Sequence, residues 1–252
     1  MTDQQEKQQA LRFFRQLVRV RIFEERVSEL FVQGGTAGSM LHLSIGEEAG
    51  AVGVMGAMRE GDGFTTHHRG HGIFLARGAD PKKMMAEIAG KSTGYCRGKG
   101  GSMHIADRGL GHLGANAIVG GGISHVVGAG LTYQMKHQGN AAVAFFGDGA
   151  IEEGVFYETI NFSIIKNLPI IFICENNKYS VYSNLGVRQP KNRKIHKMVE
   201  KIGIKSLFSN GLDAIEIYKK YLFAKNYVEK KNKPIFLEIN TYRYLEHCGP
   251  FN

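Results

Sequence analysis

Residues 141–183, AAVAFFGDGAIEEGVFYETINFSIIKNLPIIFICENNKYSVYS, decide the fold of this 252-residue chain. Residues 141–146 form an apolar run of strand length, and residues 170–174 form a second one. Apolar residues recur at helical spacing between the two runs, at Phe156, Ile160 and Ile164. Two all-apolar strands joined by a helix are typical of a βαβ unit in a parallel sheet that is buried on both faces. We therefore predict an α/β fold with three layers, a parallel sheet with helices on both faces.

Polar residues follow each of the two predicted strands. Asp148 lies in the turn GDG of residues 147–149, and Asn177 closes the run ENN of residues 175–177. Both strands of such a unit end at the same sheet edge, where ligands bind in open α/β sheets. Carboxylate and amide oxygens suit Mg²⁺ or Ca²⁺ and do not suit zinc. Because Mg²⁺ usually shares phosphate ligands, and a helix N-terminus favours a phosphate, we predict a divalent cation that bridges a diphosphate to the protein.

Each half of this pattern also has a purely structural interpretation. Asp-Gly alone is a common hairpin turn, and Asn-Asn alone is a common loop. The residues after Gly149 do not alternate as a returning strand would, which argues against the hairpin. The pair at this spacing therefore favours the cation site.

A second polar cluster is the segment TTHHRGHG of residues 65–72. Its three histidines could ligate a metal, although neither a carboxylate nor a cysteine joins them locally. A cationic Arg69 in a loop fits phosphate binding better. A solvated loop without a function is the alternative for this segment.

Composition narrows the class of protein. The net charge of +9 and the pI near 9.4 are not accompanied by a basic patch with interleaved aromatic residues, so we do not expect nucleic-acid binding. The three cysteines are widely spaced, which argues against a disulfide framework. Residues 1–10 are predicted to be a polar N-terminal lead, and residues 11–252 a single domain. This lead has no apolar signal segment and no run is long enough for a membrane span, so the predicted location is cytoplasmic.

Several motifs in one order resemble the α subunit of the E1 component of thiamine diphosphate (ThDP)-dependent 2-oxo acid dehydrogenases. This family includes pyruvate, branched-chain 2-oxo acid and acetoin dehydrogenases. The motifs are HLSIGEEA (42–49), THHRGHG (66–72), GKGGSMH (98–104), IVGGG (118–122), GDGAIEEG (147–154), ICENNKYS (173–180) and TYRYLEH (241–247). The resemblance extends over nearly all of the chain from Leu11 onward. It implies the ThDP-binding fold.

The resemblance also implies a set of cofactor contacts. Mg²⁺ would be bound by Asp148, the Asn177 side chain and the Tyr179 carbonyl. ThDP would be contacted by the remaining residues of the set: Gly149 and Ala150 at the diphosphate, Arg69 through its charge, and Ala117 and Val119 at the aminopyrimidine ring.

The implied activity is oxidoreductase chemistry on a 2-oxo acid, which is decarboxylated before its acyl group passes to a lipoylated E2 partner. His247 would lie over the thiazolium, His42 and His68 would line the substrate end, and Arg243 would support the His247 loop. Histidine suits the proton transfers because its pKa is ordinarily near neutrality. A separate β subunit would complete an α₂β₂ heterotetramer and supply the glutamate that activates the cofactor. Acetoin dehydrogenase, a ThDP-dependent transferase or synthase of a special biosynthetic pathway, and a non-enzymatic cofactor-binding remnant stay open as alternatives.

The sequence departs from the family pattern at a few positions. Ala117 stands where glycine is usual, and His68 stands where tyrosine is frequent, which predicts an altered substrate. Cys248 replaces a serine that is often phosphorylated, so control by phosphorylation is not expected. Family members usually continue beyond the TYRY segment with a helical C-terminal region, and we expect the present sequence, which ends at Asn252, to be a truncation or a short variant.

Overall fold

The computed structural model of the chain describes residues 3–38 and 40–251. Its α-helices are α1 (Asp3–Val32), α2 (Glu48–Ala57), α3 (His71–Ala76), α4 (Pro81–Ile88), α5 (Gly121–Met135), α6 (Gly154–Ile165), α7 (Leu185–Arg188), α8 (Ile195–Lys201) and α9 (Ala214–Lys231). Its strands are β1 (Gly63–His67), β2 (His112–Asn116), β3 (Ala142–Gly147), β4 (Ile170–Asn176), β5 (Tyr179–Ser180), β6 (Ser183–Asn184), β7 (Lys205–Ser209) and β8 (Ile235–Asn240). Two short 3₁₀ helices cover Arg108–Leu110 and Asp148–Glu152.

Six of the strands form one sheet in the order β2-β1-β3-β4-β8-β7, and every pairing in it is parallel. Strands β3 and β4 pair from Ala142↔Ile170 to Gly147↔Glu175, so their carboxyl ends lie side by side. The predicted βαβ unit is therefore confirmed, with α6 as its helix. The 3₁₀ helix Asp148–Glu152 lies between the GDG turn and α6, which the sequence pattern did not predict. Short 3₁₀ segments are frequent at helix N-termini.

The sheet is covered on both faces, as the continuous apolar runs of β3 (residues 142–146) and β4 (residues 170–174) require. Val143 and Phe145 pack into a core with α1, α2 and α9, whereas Ala144 and Phe146 pack into a second core with α5, α6 and α8. Side chains alternate between the two faces of a strand, so a continuous apolar run supplies both cores at once. The predicted three-layer α/β class is confirmed.

Two segments differ from the sequence-based expectations. Helix α1 begins at Asp3, so the described part of the predicted N-terminal lead is helical, and residues 1–2 lie outside the described residues. Thr65, Thr66 and His67 belong to the buried strand β1 and not to a loop. The polar side chains of these residues led to the wrong prediction of a loop. A buried strand can carry polar residues when neighbouring groups supply their hydrogen bonds. Among the described residues, no helix is both long and apolar enough to cross a membrane.

His112 gives the fold a testable pH dependence. Its ring is buried, stacks on Phe64 with 4.7 Å between the ring centroids, and bonds Thr66 Oγ1 through Nε2. Burial lowers its pKa from 6.5 to about 4. Between these pH values the unfolded chain binds a proton that the folded chain does not bind, so the free energy of unfolding decreases as the pH falls. The expected loss from this one group is about 3 kcal/mol.

Replacing His112 by leucine should remove that part of the acid sensitivity. Urea unfolding at a series of pH values, from neutral down to the acid range, would give the free energy of unfolding as a function of pH. The slope of that curve should correspond to up to one proton fewer than in the wild type. His125→Leu, at an exposed position of α5, is the matched control and should keep the wild-type slope. An unchanged slope in His112→Leu would contradict the assignment of this proton to the buried ring.

Candidate active site

The carboxyl ends of the sheet strands surround one cavity of about 280 Å³. Segments that follow β1, β2, β3, β4 and β8 all contribute to its wall. The residues that the family resemblance assigned to catalysis, cofactor or metal all line it: His42, His68, Arg69, Ala117, Val119, Asp148, Gly149, Ala150, Asn177, Tyr179 and His247. Their common position agrees with the general placement of ligand sites in open α/β sheets. Their individual roles stay predictions.

Asp148 is buried at the first position after β3, and its carboxylate is held by a cation of the protein itself. Its Oδ2 accepts a short hydrogen bond from the guanidinium of Arg188, and Arg188 Nη1 also donates to Glu152 Oε1 at 2.7 Å. Burial raises the pKa of Asp148, and the hydrogen bond from Arg188 opposes that rise. A buried carboxylate at this edge is stabilised by a positive charge, here the Arg188 side chain.

The two asparagines at the carboxyl end of β4, Asn176 and Asn177, have different contacts. Asn176 points away from the cavity, where its Nδ2 donates to Glu238 Oε1 at 2.8 Å. Asn177 lines the cavity, its Nδ2 donates to Glu47 Oε1 at 2.9 Å, and its Oδ1 accepts the Tyr179 N–H at 3.0 Å. An amide oxygen has two lone pairs, so the Asn177 oxygen can still accept a ligand. Asp148 and Asn177 thus bring oxygen donors to one cavity, as the sequence predicted.

Three histidines form the other part of the cavity. The ring centroids of His42 and His68 lie 4.6 Å apart, those of His42 and His247 4.9 Å, and those of His68 and His247 5.3 Å. The three residues come from the segment before α2, the end of β1 and the segment after β8, so only the folded chain brings them together.

The pKa values of these imidazoles are far from neutrality, which corrects the expectation based on ordinary histidine. Burial, followed by the charge of Arg69, lowers the pKa of His42 to about 3 and that of His247 to about 4. Burial and the neighbouring His67 also lower the pKa of His68. The lowered pKa values favour the uncharged imidazoles at neutral pH, so these side chains can accept hydrogen bonds but are weak proton acceptors.

Arg69 is almost completely buried between two other cavity segments. Its Nη1 donates to the Leu43 carbonyl at 2.6 Å, and its Nη2 donates to the His247 carbonyl at 2.9 Å. Burial lowers its pKa, and the charge of Glu47 opposes that effect. In this structure the guanidinium therefore ties the His247 segment to the loop before α2.

Two residues of the cavity wall, Glu175 and Glu47, and the neighbouring Arg188 were not identified as site residues from the sequence. Glu175, the last residue before the asparagine pair, bonds His67 Nε2 through Oε2 at 2.7 Å, and burial raises its pKa. Glu47, in the HLSIGEEA motif, holds Asn177, and Arg188 holds Asp148. The sequence did offer one indication of Glu175, which is a charged residue directly after the apolar run of residues 170–174. Arg188, in a polar segment, gave none.

Two further histidines, one in the motif THHRGHG and one in the motif GKGGSMH, do not line the cavity. His71 is buried beside it, where Nδ1 bonds Glu24 Oε2 and Nε2 bonds the Ser102 carbonyl, both at 3.0 Å. His104 is exposed on the glycine-rich loop. The three histidines of THHRGHG therefore do not form a metal site together. His67 and His68 line the cavity, whereas His71 bonds Glu24 and Ser102 beside it.

Comparison with known proteins gives consistent matches. A family described as "Dehydrogenase E1 component" matches residues 15–249. The α subunit of acetoin:2,6-dichlorophenolindophenol oxidoreductase from Bacillus subtilis is 41% identical over 96% of this chain and 72% of its own length. The pyruvate dehydrogenase E1 component subunit α from Zymomonas mobilis is 36% identical over 96% of this chain and 68% of its own length. A transketolase structure from Campylobacter jejuni covers 90% of this chain and 37% of its own, with a TM-score of 0.59 and 18% identity, which supports the fold class alone.

Proposed function

Because this chain belongs to the dehydrogenase E1 component family, as the match over residues 15–249 establishes, we propose that it is the α subunit of a ThDP-dependent oxidoreductase acting on a 2-oxo acid such as pyruvate. The observation that carries the proposal is the single cavity that contains both the oxygen donors Asp148 and Asn177 and the imidazoles of His42, His68 and His247. Relatives named as E1 α subunits support the same activity. The acyl group then passes to a lipoylated E2 partner.

The residues at the sheet edge fit a magnesium-bound diphosphate. Asp148, Asn177 and the Tyr179 carbonyl would hold Mg²⁺, and the backbone of Gly149 and Ala150 would lie against the diphosphate. The chemistry of the donor set supports this assignment, since a buried carboxylate with a raised pKa gains from a hard cation. Gly147 would give a ligand close access, since a Cβ there would meet no atom nearer than 4.0 Å.

ThDP supplies an electron sink for breaking the bond next to a carbonyl. The protein's own part is to position the substrate and to move protons. Neutral His247, His42 and His68 would exchange hydrogen bonds with the substrate, while Ala117 and Val119 would present their backbone to the aminopyrimidine ring. Arg69 fixes the His247 segment through its two carbonyl contacts and contributes positive charge toward the cofactor.

A β-type subunit would complete the site in an α₂β₂ heterotetramer. The cavity has an apolar, solvent-exposed border formed by Ile118, Val119, Tyr179, Val181 and Tyr182. Exposed apolar patches of this kind mark protein interaction sites, and the relatives are named as α subunits. A partner on this border would exclude water from the histidines and bring the glutamate that activates the cofactor.

Acetoin is the second candidate substrate. The 41% identity to the Bacillus subtilis enzyme and 44% identity over 69% of this chain to an acetoin-oxidising relative from Cupriavidus necator favour it. His68, which borders the substrate end, offers a polar group for a hydroxyketone. The choice between the two substrates depends on both subunits.

The deciding experiment is co-purification with a β-type partner and assay with an artificial electron acceptor. Acceptor reduction with pyruvate, branched-chain 2-oxo acids or acetoin, dependent on ThDP, Mg²⁺ and both chains, is the expected result. Carbon–carbon bond transfer without acceptor reduction would instead identify a transferase or synthase. Absence of any turnover in a folded complex that binds ThDP would support a remnant and contradict the proposed activity.

Arg188 should compete with the metal ion for Asp148. Arg188→Gln removes the guanidinium from a buried carboxylate, so we expect Mg²⁺-dependent ThDP binding to tighten by about tenfold. Calorimetric titration of ThDP at graded Mg²⁺ concentrations would measure the change. Lys191→Gln, which removes the same charge from an exposed position of the same segment, is the matched control and should bind as the wild type does. Weaker binding by Arg188→Gln would show that the guanidinium assists the diphosphate instead.

A further inference from the structure

The three cavity histidines are arranged like the ligands of a metal. One ligand nitrogen from each of His42, His68 and His247 lies within 4.8 Å of the other two. Zinc in a tetrahedral site has Zn–N bonds near 2.1 Å, which places its nitrogen ligands about 3.4 Å apart. The observed limit of 4.8 Å exceeds this spacing by about 1.4 Å, so the nitrogens would have to approach one another by at most that amount to enclose an ion.

A second observation points to a ligand at the same place. His42 is 2% exposed, and its Nδ1 has no hydrogen-bond partner among the described residues. Buried polar atoms in folded proteins nearly always have a partner, so this nitrogen is available to a group that enters the cavity. The same residue borders both other histidine rings.

The cavity wall carries charges of both signs, and the charges of Arg69 and Arg243 oppose a dication at the trio. Arg69 and Arg243 line the cavity, and so do the carboxylates of Glu47 and Glu175. Histidine binds a metal through its neutral imidazole, so binding at the trio should weaken as the pH falls.

We propose that His42, His68 and His247 form a binding site for a borderline transition-metal dication of the Zn²⁺ class. Three neutral nitrogen ligands with one open position match a tetrahedral zinc site and do not match Mg²⁺, which requires oxygen ligands. The cavity thus holds two sites of different chemistry, oxygen donors at Asp148 and Asn177 and nitrogen donors at the trio. A metal on the trio would occupy the nitrogen lone pairs that the substrate needs and would therefore inhibit turnover. This inhibition rests on the proposed function, whereas metal binding itself does not.

Cobalt(II) is the probe for the site, because tetrahedral Co²⁺ absorbs visible light far more strongly than octahedral Co²⁺. Co²⁺ is titrated into the full chain without ThDP or substrate, with Mg²⁺ in excess to fill oxygen-ligand sites. We expect one Co²⁺ per chain with intense visible bands, which added Zn²⁺ removes. His68→Phe and His247→Asn should each weaken binding by at least the roughly 100-fold that loss of an outer-shell partner can cause. His125→Ala, at an exposed histidine of α5, is the matched control and should bind as the wild type does.

Two results would overturn the proposal. One is a wild-type spectrum with only weak octahedral bands, and the other is wild-type affinity in both histidine variants. Because a variant can fail to fold, X-ray absorption of the zinc-loaded wild type provides an independent measurement. Three imidazole nitrogens around zinc support the site, and an oxygen-only shell refutes it. Since none of these measurements uses turnover or ThDP, failure of the proposed function would leave the metal result unchanged.

Discussion

Asp148→Asn is expected to weaken Mg²⁺-dependent ThDP binding by roughly 30-fold or more. The carboxylate is buried at the end of β3, where its charge has no water to screen it and faces the cavity. Loss of one buried charge from a paired set typically costs 2 kcal/mol or more, and each 1.4 kcal/mol is about tenfold in affinity. Asparagine keeps the shape of the side chain, so the effect reports the charge. Calorimetry of ThDP with the α–β complex, with and without Mg²⁺, measures it.

Glu152→Gln is the control that separates the two acidic groups near Arg188. Glu152 shares Arg188 with Asp148 but is not a predicted metal ligand. We expect this variant to retain Mg²⁺-dependent binding, which distinguishes a lost ligand from a disturbed ion pair. Equal losses in Asp148→Asn and Glu152→Gln would show that the ion-pair network, and not a metal bond, is responsible. Unchanged binding in Asp148→Asn would remove the basis of the cation site.

Lys225→Met should reduce the free energy of unfolding by about 3–5 kcal/mol, the usual result of breaking a buried ion pair. Lys225 on α9 is 1% exposed, and its Nζ contacts Oδ1 of the fully buried Asp62 at 2.5 Å. The same Oδ1 accepts the Ala141 N–H at 2.8 Å, which anchors the start of β3. Without the lysine, Asp62 keeps a buried charge with no counter-ion. Thermal unfolding should show a decrease in Tm on the order of 10 °C for a chain of this size.

A double-mutant cycle tests the cause of that loss. Adding Asp62→Asn to Lys225→Met removes the uncompensated charge and should restore part of the stability. Lys219→Met, at an exposed position of α9, is the control and should change stability by less than about 0.5 kcal/mol. A double variant no more stable than Lys225→Met would indicate that lost packing of the lysine side chain, and not the charge of Asp62, is the main cost.

The sequence by itself determined the architecture and the location of the site. A buried strand such as residues 170–174 is visible as a continuous apolar run in the sequence. Asp148 and Asn177 follow the ends of two such strands, and a βαβ unit places both ends at the same edge of the sheet. Those are local patterns, and they need no knowledge of distant neighbours. Strand β1 was missed for the same reason, since Thr65 and Thr66 look polar until their hydrogen-bond partners Gly122 and His112 are brought beside them.

Only the tertiary structure decided which side chains pair and which protons they hold. Arg188 contacts Asp148 across 40 residues of sequence, and His67 contacts Glu175 across 108. No local sequence pattern predicts contacts between residues so far apart. The shared position of His42, His68 and His247 depends on three separate segments. Their low pKa values follow from burial and from the charge of Arg69, which exist only after the chain has folded. Local pattern therefore predicts elements and edges, whereas burial and long-range charge determine the chemistry of the groups placed there.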